Sequence, residues 1–379
     1  MARLNYFRVA TVIAFLAGIL FSHRLWFGSA RTFPRAPFIS SISPHPRIET
    51  VLAFLLIAIL CVALIRSSRP ILILSIFLLL FLVLLDQNRL QPWVYQYGLT
   101  IIILSAVTSN EASQVTVLSA CQLLLGAQYF WSGLQKLNWS FAHSTLSGLL
   151  ESVGLYTVSK LSFLPLIAVL FALVEVFIGV GLLARRTRNV AVILAIAMHV
   201  LLLAILILSK QNSVVWPWNL AMIAIVIVLF WRSDNAIKSG LRHQRYYALR
   251  SALFVVCLVP VLSFFGWFDS YLSFALYGTP ASCVIRIDDA DRDRLPANVQ
   301  SLLSRSQRGD LIIPVYKWAM ADLNVPEYPE ERIFRQVGQS ICRLANQRNG
   351  VELIVRDKPD LLDGRFKVTR VSCAELGVP

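Results

Sequence analysis

Between residues 9 and 268 the chain repeats one pattern: an apolar run of about a bilayer's thickness, a short polar break, and another apolar run. The runs lie near residues 9 to 27, 50 to 65, 70 to 85, 95 to 109, 114 to 133, 161 to 184, 189 to 208, 214 to 231 and 248 to 268. Lipid offers the backbone no hydrogen-bond partners, so runs of this kind must be helices. The pattern predicts an all-α polytopic membrane bundle of eight to nine transmembrane helices over residues 1–270. The fourth run is the least continuous, being wholly apolar only from about Leu99 to Val107. Composition agrees, with 57% apolar residues, 15% charged and a mean hydropathy of +0.66, outside the range of soluble domains.

Charge is distributed as a membrane topology requires. Residues 269 to 379 hold 15 basic and 15 acidic residues, so the whole net charge of +14 lies in residues 1 to 268. Arg3 and Arg8, Arg66 and Arg69, Arg185, Arg186 and Arg188, and then Arg232, Lys238, Arg242 and Arg245 fall in breaks on one predicted side, which the positive-inside rule makes cytoplasmic. Arg31, Arg35 and Arg47 in the first opposite loop run against that rule. The first run follows a basic start and has no small-residue cleavage site, so it reads as a retained anchor with a cytoplasmic N-terminus. The 28 Arg against 7 Lys suggest a GC-rich bacterial genome, hence an inner cell membrane. No basic run interleaved with aromatics tracks a phosphate backbone, which argues against nucleic acid.

From about residue 280 the regime changes, and prolines punctuate short elements. Cys283 to Ile287, Val351 to Val355 and Phe366 to Val371 read as strands, and Pro329 to Gln347 carries Ile333, Val337, Ile341 and Leu344 at helical spacing. These predict a small C-terminal α+β soluble domain over 280–379, extracytoplasmic if nine spans precede it. Cys61, Cys121 and Cys257 lie in apolar runs and read as packing residues. Two of Cys283, Cys342 and Cys373 can pair in an oxidising compartment, and the sequence leaves open which two. The five histidines show no metal-ligand spacing. Asp288 to Asp293 lacks the glycine and glutamate of a calcium loop and reads as a solvated turn. Asn138-Trp139-Ser140 is a formal glycosylation sequon, meaningful only in a eukaryotic secretory compartment.

Ionisable groups at membrane depth are costly and usually face a cavity or a partner. Glu175 falls in the middle of one apolar run and His199 midway along the next, while Lys136 ends the fifth. Each also has an ordinary explanation, interhelical hydrogen bonding for Glu175 and His199 and snorkelling for Lys136. Asp86 to Tyr97 concentrates amides, an arginine and aromatics between two runs, with Pro92 stopping a continuous helix.

The segment Tyr129-Phe130-Trp131-Ser132-Gly133-Leu134-Gln135-Lys136-Leu137-Asn138 resembles a motif of the horizontally transferred transmembrane (HTTM) family, the vitamin K-dependent gamma-carboxylase-like membrane domains. More distantly the chain is similar to DoxX and MauE membrane proteins. Asp86, Tyr95, Tyr97, Gly98 and Leu99 resemble that family's loop before the fourth span, and Glu175, His199 and Trp216 to Asn219 follow in family order. The resemblance covers roughly residues 8 to 270. Trp93 stands where the carboxylases have a histidine, Pro92 replaces an amide residue, and the tail is shorter than their lumenal domain.

The resemblance implies that Lys136 is a catalytic base toward a hydroquinone, and a lysine at the wall of an apolar cavity has the desolvated setting such a base needs. Tyr129, Trp131, Trp93 and Tyr97, with Asp86 nearby, would bind a quinone-like or isoprenoid substrate, with Glu175 and His199 as a proton relay. Three functional classes follow: a redox or lyase-type membrane enzyme on a lipid-soluble substrate; a non-catalytic maturation protein binding a protein partner through its outer domain; and a transporter, for which no inverted repeat is evident. Membrane lipids are partners in all three.

Overall fold

The computed structural model describes residues 2–28, 31–39, 45–108, 110–233, 247–276, 278, 281–306, 309–344 and 350–377. Lys238, Arg242, His243 and Arg245 lie outside the described residues. The chain is mostly helical, with a small antiparallel sheet near its C-terminal end. Its longer helices are α1 (Ala2–Phe21), α2 (Pro46–Ile65), α3 (Arg69–Leu85), α4 (Pro92–Leu104), α5 (Glu111–Lys136), α6 (Leu164–Leu183), α7 (Arg188–Leu208), α8 (Val215–Phe230) and α9 (Tyr247–Leu258), followed by α10 (Val315–Leu323) and α11 (Glu331–Cys342).

Among the described residues four helices, α1, α2, α6 and α7, are long and apolar enough to cross a membrane. This is fewer than the eight to nine expected, for two physical reasons. Helices α3, α4 and α8 are apolar but only 17, 13 and 16 residues long. Helix α5 has the length, at 26 residues, but carries Gln114, Ser119, Gln122, Gln128, Ser132 and Gln135, which lower its hydropathy. Continuous helix over the last run ends at Leu258, where Pro260 falls within a following 3-10 segment, Val259–Phe265. The four long helices expose Leu, Ile, Val and Phe, including Phe54, Leu166, Leu170, Ile193 and Leu201, the surface that a hydrocarbon solvent accommodates.

Contacts group the chain into two compact units, residues 1–20, 54–79 and 92–279 in the first and residues 21–53, 80–91 and 280–379 in the second. In the first unit, α5 and α6 meet glycine to backbone. A Cβ on Gly133 would stand 2.6 Å from the Val176 nitrogen, and one on Gly179 would stand 2.5 Å from the Phe130 nitrogen. Small residues at these positions let the two backbones approach closely; fully buried Ala172, whose carbonyl would stand 2.8 Å from a Gly133 Cβ, belongs to the seam, while Ala168 packs with Phe141, Ala142 and Leu146. This crossing sets the relation of the side chains above it.

The second unit is built on a five-stranded antiparallel sheet in the order β2-β3-β1-β4-β5. The strands are β1 (Ser282–Ile287), β2 (Ser304–Arg305), β3 (Leu311–Pro314), β4 (Val351–Arg356) and β5 (Val368–Ser372). Ile285 lies opposite both Ile313 and Leu353. Alternation buries Cys283, Ile285 and Ile287 with Val351, Leu353 and Val355. Ile333, Phe334, Val337 and Ile341 of α11 complete this core, while Leu344, beyond the helix end, is exposed. The disulfide joins Cys342 to Cys373, and Cys283 is a buried free thiol. The second unit is thus not the tail alone, since residues 21–53 and 80–91 belong to it.

Candidate functional site

Tyr129, Ser132 and Lys136 recur at three- and four-residue spacing and so share one face of α5. The glycine seam brings α6 against that face and puts Glu175 within reach. Lys136 Nζ donates to Glu175 Oε2 at 2.7 Å, to Ser132 Oγ at 2.7 Å and to the Ser132 carbonyl at 3.2 Å. Three acceptors match the three donors of an ammonium. Both side chains are only 9% exposed, and a buried ion pair holds only when its geometry and hydrogen bonds offset desolvation. Glu175 makes no other hydrogen bond among the described residues.

Beside this pair runs a directional chain of hydrogen bonds. Asn219 Nδ2 donates to the Val215 carbonyl at 2.8 Å, which leaves Oδ1 to accept from His199 Nδ1 at 2.8 Å. His199 therefore carries its proton on Nδ1, and Nε2 accepts from the Tyr129 hydroxyl at 2.7 Å. The tautomer follows from the i−4 carbonyl that fixes the Asn219 amide. The Glu175 carboxylate acts electrostatically on both Tyr129 and His199.

Lys136, Glu175, Tyr129, His199 and Asn219 all line one cavity of about 140 Å³ in the first unit, whose wall is otherwise almost wholly apolar. Phe141, Phe171, Met198, Leu202, Ile205 and Met222 supply much of that wall. Gln128 and Trp218 also border it, both donating to Gln96 Oε1, at 3.0 and 2.6 Å. Gln128 Oε1 is buried without a hydrogen-bond partner. The arrangement can bind one flat apolar ring beside an acceptor amide, an ion pair and a tyrosine-histidine pair.

The structure thus brings Lys136, Glu175, His199 and Tyr129 together and places the other expected site residues elsewhere. Trp131 donates its indole N–H to the Cys257 carbonyl at 2.9 Å and is not among the cavity-lining residues. Trp93 packs edge-on against Phe15 and covers Gly18, and Tyr97 lies beside Phe15. Those rings fill a core between α1 and α4. Asp86 belongs to the second unit, where it pairs with Arg31 and accepts from the Ala36 and Asn88 backbone amides and the Asn88 side chain. Burial alone would raise the Asp86 carboxyl, but Arg31 and Arg89 outweigh it and hold it below the ordinary range. Asp86 is a structural ion here, as are Glu49 with Arg35 and Arg89.

Ser132, Gln128 and Asn219 are the site residues that sequence reasoning did not single out. Ser132 and Gln128 stand four and eight residues before Lys136 in an apolar helix, the one signal that points to them. Of the acidic turn, Asp288 and Asp289 pair with Arg286 and Arg305, and among the described residues no cluster of His, Cys, Asp and Glu is arranged to hold a metal. Asn138 of the sequon caps the turn after α5, donating to the Gln135 carbonyl and accepting from the Phe141 amide. No family model, no curated protein and no solved structure matches this chain.

Proposed function

We propose that the chain is an integral membrane enzyme of redox or lyase type, on a carboxylase-like HTTM scaffold, that acts on a lipid-soluble, quinone-like substrate with Lys136 as its base. The observation that carries this reading is one apolar cavity bordered by both a lysine-glutamate pair and a tyrosine-histidine pair. Buried titratable pairs in a cleft are where proton chemistry is found.

The cavity suits a ring rather than a whole isoprenoid. An engineered apolar cavity of about 150 Å³ takes benzene, and this one measures about 140 Å³. Tyr129, His199 and Gln128 would hold the oxygens of a quinone or hydroquinone head, with Trp218 and Phe171 against its face. Bound there, such a head would supply an acidic hydroxyl and reducing equivalents. Lys136 becomes a free base by passing one proton from Nζ to Glu175 Oε2, along the bond already made. His199 accepts the Tyr129 proton on Nε2, so Tyr129 can take a proton from a ligand in turn. We further assign the N-terminus to the cytoplasm and residues 280–379 to the outer side of a bacterial inner membrane, an oxidising compartment that suits the Cys342–Cys373 disulfide; this requires that an odd number of the shorter apolar helices cross beside the four long ones.

The test is to purify the full chain in mild detergent, extract what accompanies it, and identify it by mass spectrometry beside a Lys136→Ala preparation. A stoichiometric quinone or isoprenoid in the wild type, altered in the variant, supports the enzyme. Bulk phospholipid alone in both preparations overturns it and favours a protein that binds a partner through its second unit.

A further inference from the structure

A second cavity, of about 570 Å³, lies in the first unit away from the site above. Its polar lining comes from Asn5, Arg8, Ser67, Arg69, Thr108 and Gln114, with Leu4, Leu72, Leu104 and Val107 completing the wall. Among the described residues no lining side chain is acidic. Arg8 is 5% exposed. Its Nη2 donates to Asn5 Oδ1 at 2.7 Å and to the Leu64 carbonyl at 3.3 Å, and Nε and Nη1 have no hydrogen-bond partner.

A buried guanidinium with two idle donors and no carboxylate beside it is an expensive arrangement, because its desolvation is not offset. Arg31 and Arg89, also buried, each face a carboxylate, and buried Arg188 sets Nε, Nη1 and Nη2 on the Leu182, Ser233 and Leu183 carbonyls; neither kind of partner meets Nε and Nη1 of Arg8. At this cavity Arg69 adds a second positive charge instead. The ends of two long helices also meet here, since Ala2 opens α1 and Arg69 opens α3, and the first amides of a helix attract anions.

We propose that this cavity is a binding site for a phosphate-bearing anion, with Arg8 and Arg69 as its charged ligands and Ser67, Thr108 and Gln114 as neutral donors. A guanidinium fork matches two phosphate oxygens. The volume falls within the range of roughly 300 to 1,000 Å³ typical of small-molecule sites, so it admits a phosphodiester with its glycerol as readily as a free phosphate. The source is then either a lipid headgroup or soluble phosphate, and the site does not depend on the chemistry assigned to Lys136.

The experiment uses the full chain, purified in detergent and stripped of lipid, titrated separately with inorganic phosphate and with short-chain phosphatidylglycerol while the thermal midpoint and native mass are followed. Saturable binding of at least one probe is expected, weakened about tenfold or more by Arg69→Gln and unchanged by Arg66→Gln, since Arg66 is exposed and does not line the cavity. Arg69 is itself exposed, so its variant folds even where Arg8→Gln does not. Phosphate binding identifies a soluble source, and binding of phosphatidylglycerol alone identifies a headgroup. Binding of neither probe, or binding indifferent to Arg69→Gln, overturns the proposal.

Discussion

Lys136 Nζ and Glu175 Oε2 stand 2.7 Å apart across 39 residues of sequence, on two helices whose backbones touch at Gly133 and Gly179. Neither side chain would be tolerated at that depth without the other, and neither reaches the other unless the helices are this close. The chemistry of the pair and the packing of the seam are therefore one property.

Breaking the pair should cost more than removing it. Glu175→Gln leaves Lys136 buried without a counter-charge, an arrangement that costs about 3 to 5 kcal/mol. Lys136→Met combined with Glu175→Leu restores most of that loss. Thermal unfolding of Glu175→Gln and of the double in one detergent checks this, and a double no more stable than the single would contradict it.

The seam predicts its own variants. Gly179→Val places atoms on the Phe130 backbone and should destabilise the first unit by about 1 to 3 kcal/mol, the usual cost of overpacking. Gly148→Val, where nothing lies within 4 Å of an added Cβ, serves as the control and should leave the unfolding midpoint in place.

In the second unit, burial pushes the Glu327 carboxyl up from 4.5 to about 7, and its Oε2 has no hydrogen-bond partner. A carboxyl raised on folding contributes stability that is complete below about pH 4.5 and lost as pH rises through about 7. The swing is roughly 3 kcal/mol. Amide hydrogen exchange of strands β1 and β4 at pH 5 and pH 8 should show faster opening at the higher pH, and Glu327→Gln should abolish the difference.

Reducing the disulfide frees a loop closed across 31 residues, which by chain entropy is worth about 3 to 4 kcal/mol. Unfolding in the presence of reductant, or of Cys373→Ser, should shift accordingly. Cys283 should resist alkylation in the folded chain, because it is 3% exposed and burial pushes its thiol up.

The sequence exposes what is costly and conceals what is ordinary. Lys136, Glu175 and His199 were visible because an ionisable group in an apolar run demands a partner. Trp93, Tyr97 and Trp131 do not line the cavity that those three share: an aromatic ring suits a core and a cavity wall equally, and composition does not say which helix face it occupies. Each of the nine apolar runs contains a helix, but among the described residues only four are long and apolar enough to span, since α3 stops at 17 residues and α5 is rich in amides. The β4 strand and the start of α11 were legible from alternation and spacing, whereas β3 at Leu311–Pro314 is too short to carry a period. Arg31 and Arg35, which oppose the charge rule, meet Asp86 and Glu49, partners too distant in sequence to be foreseen.

The second unit has a consequence for how the molecule comes into being. Gln87, Asn88 and Gln91 are joined to Arg332, Tyr328 and Pro326, across 245, 240 and 235 residues. On a ribosome those early polar groups emerge long before the residues that satisfy them. Completion of this unit is then among the last events of biogenesis, and a chain halted before residue 326 presents unsatisfied amides rather than a missing appendage. Such a product carries its own mark of incompleteness for the cell's proteases to find.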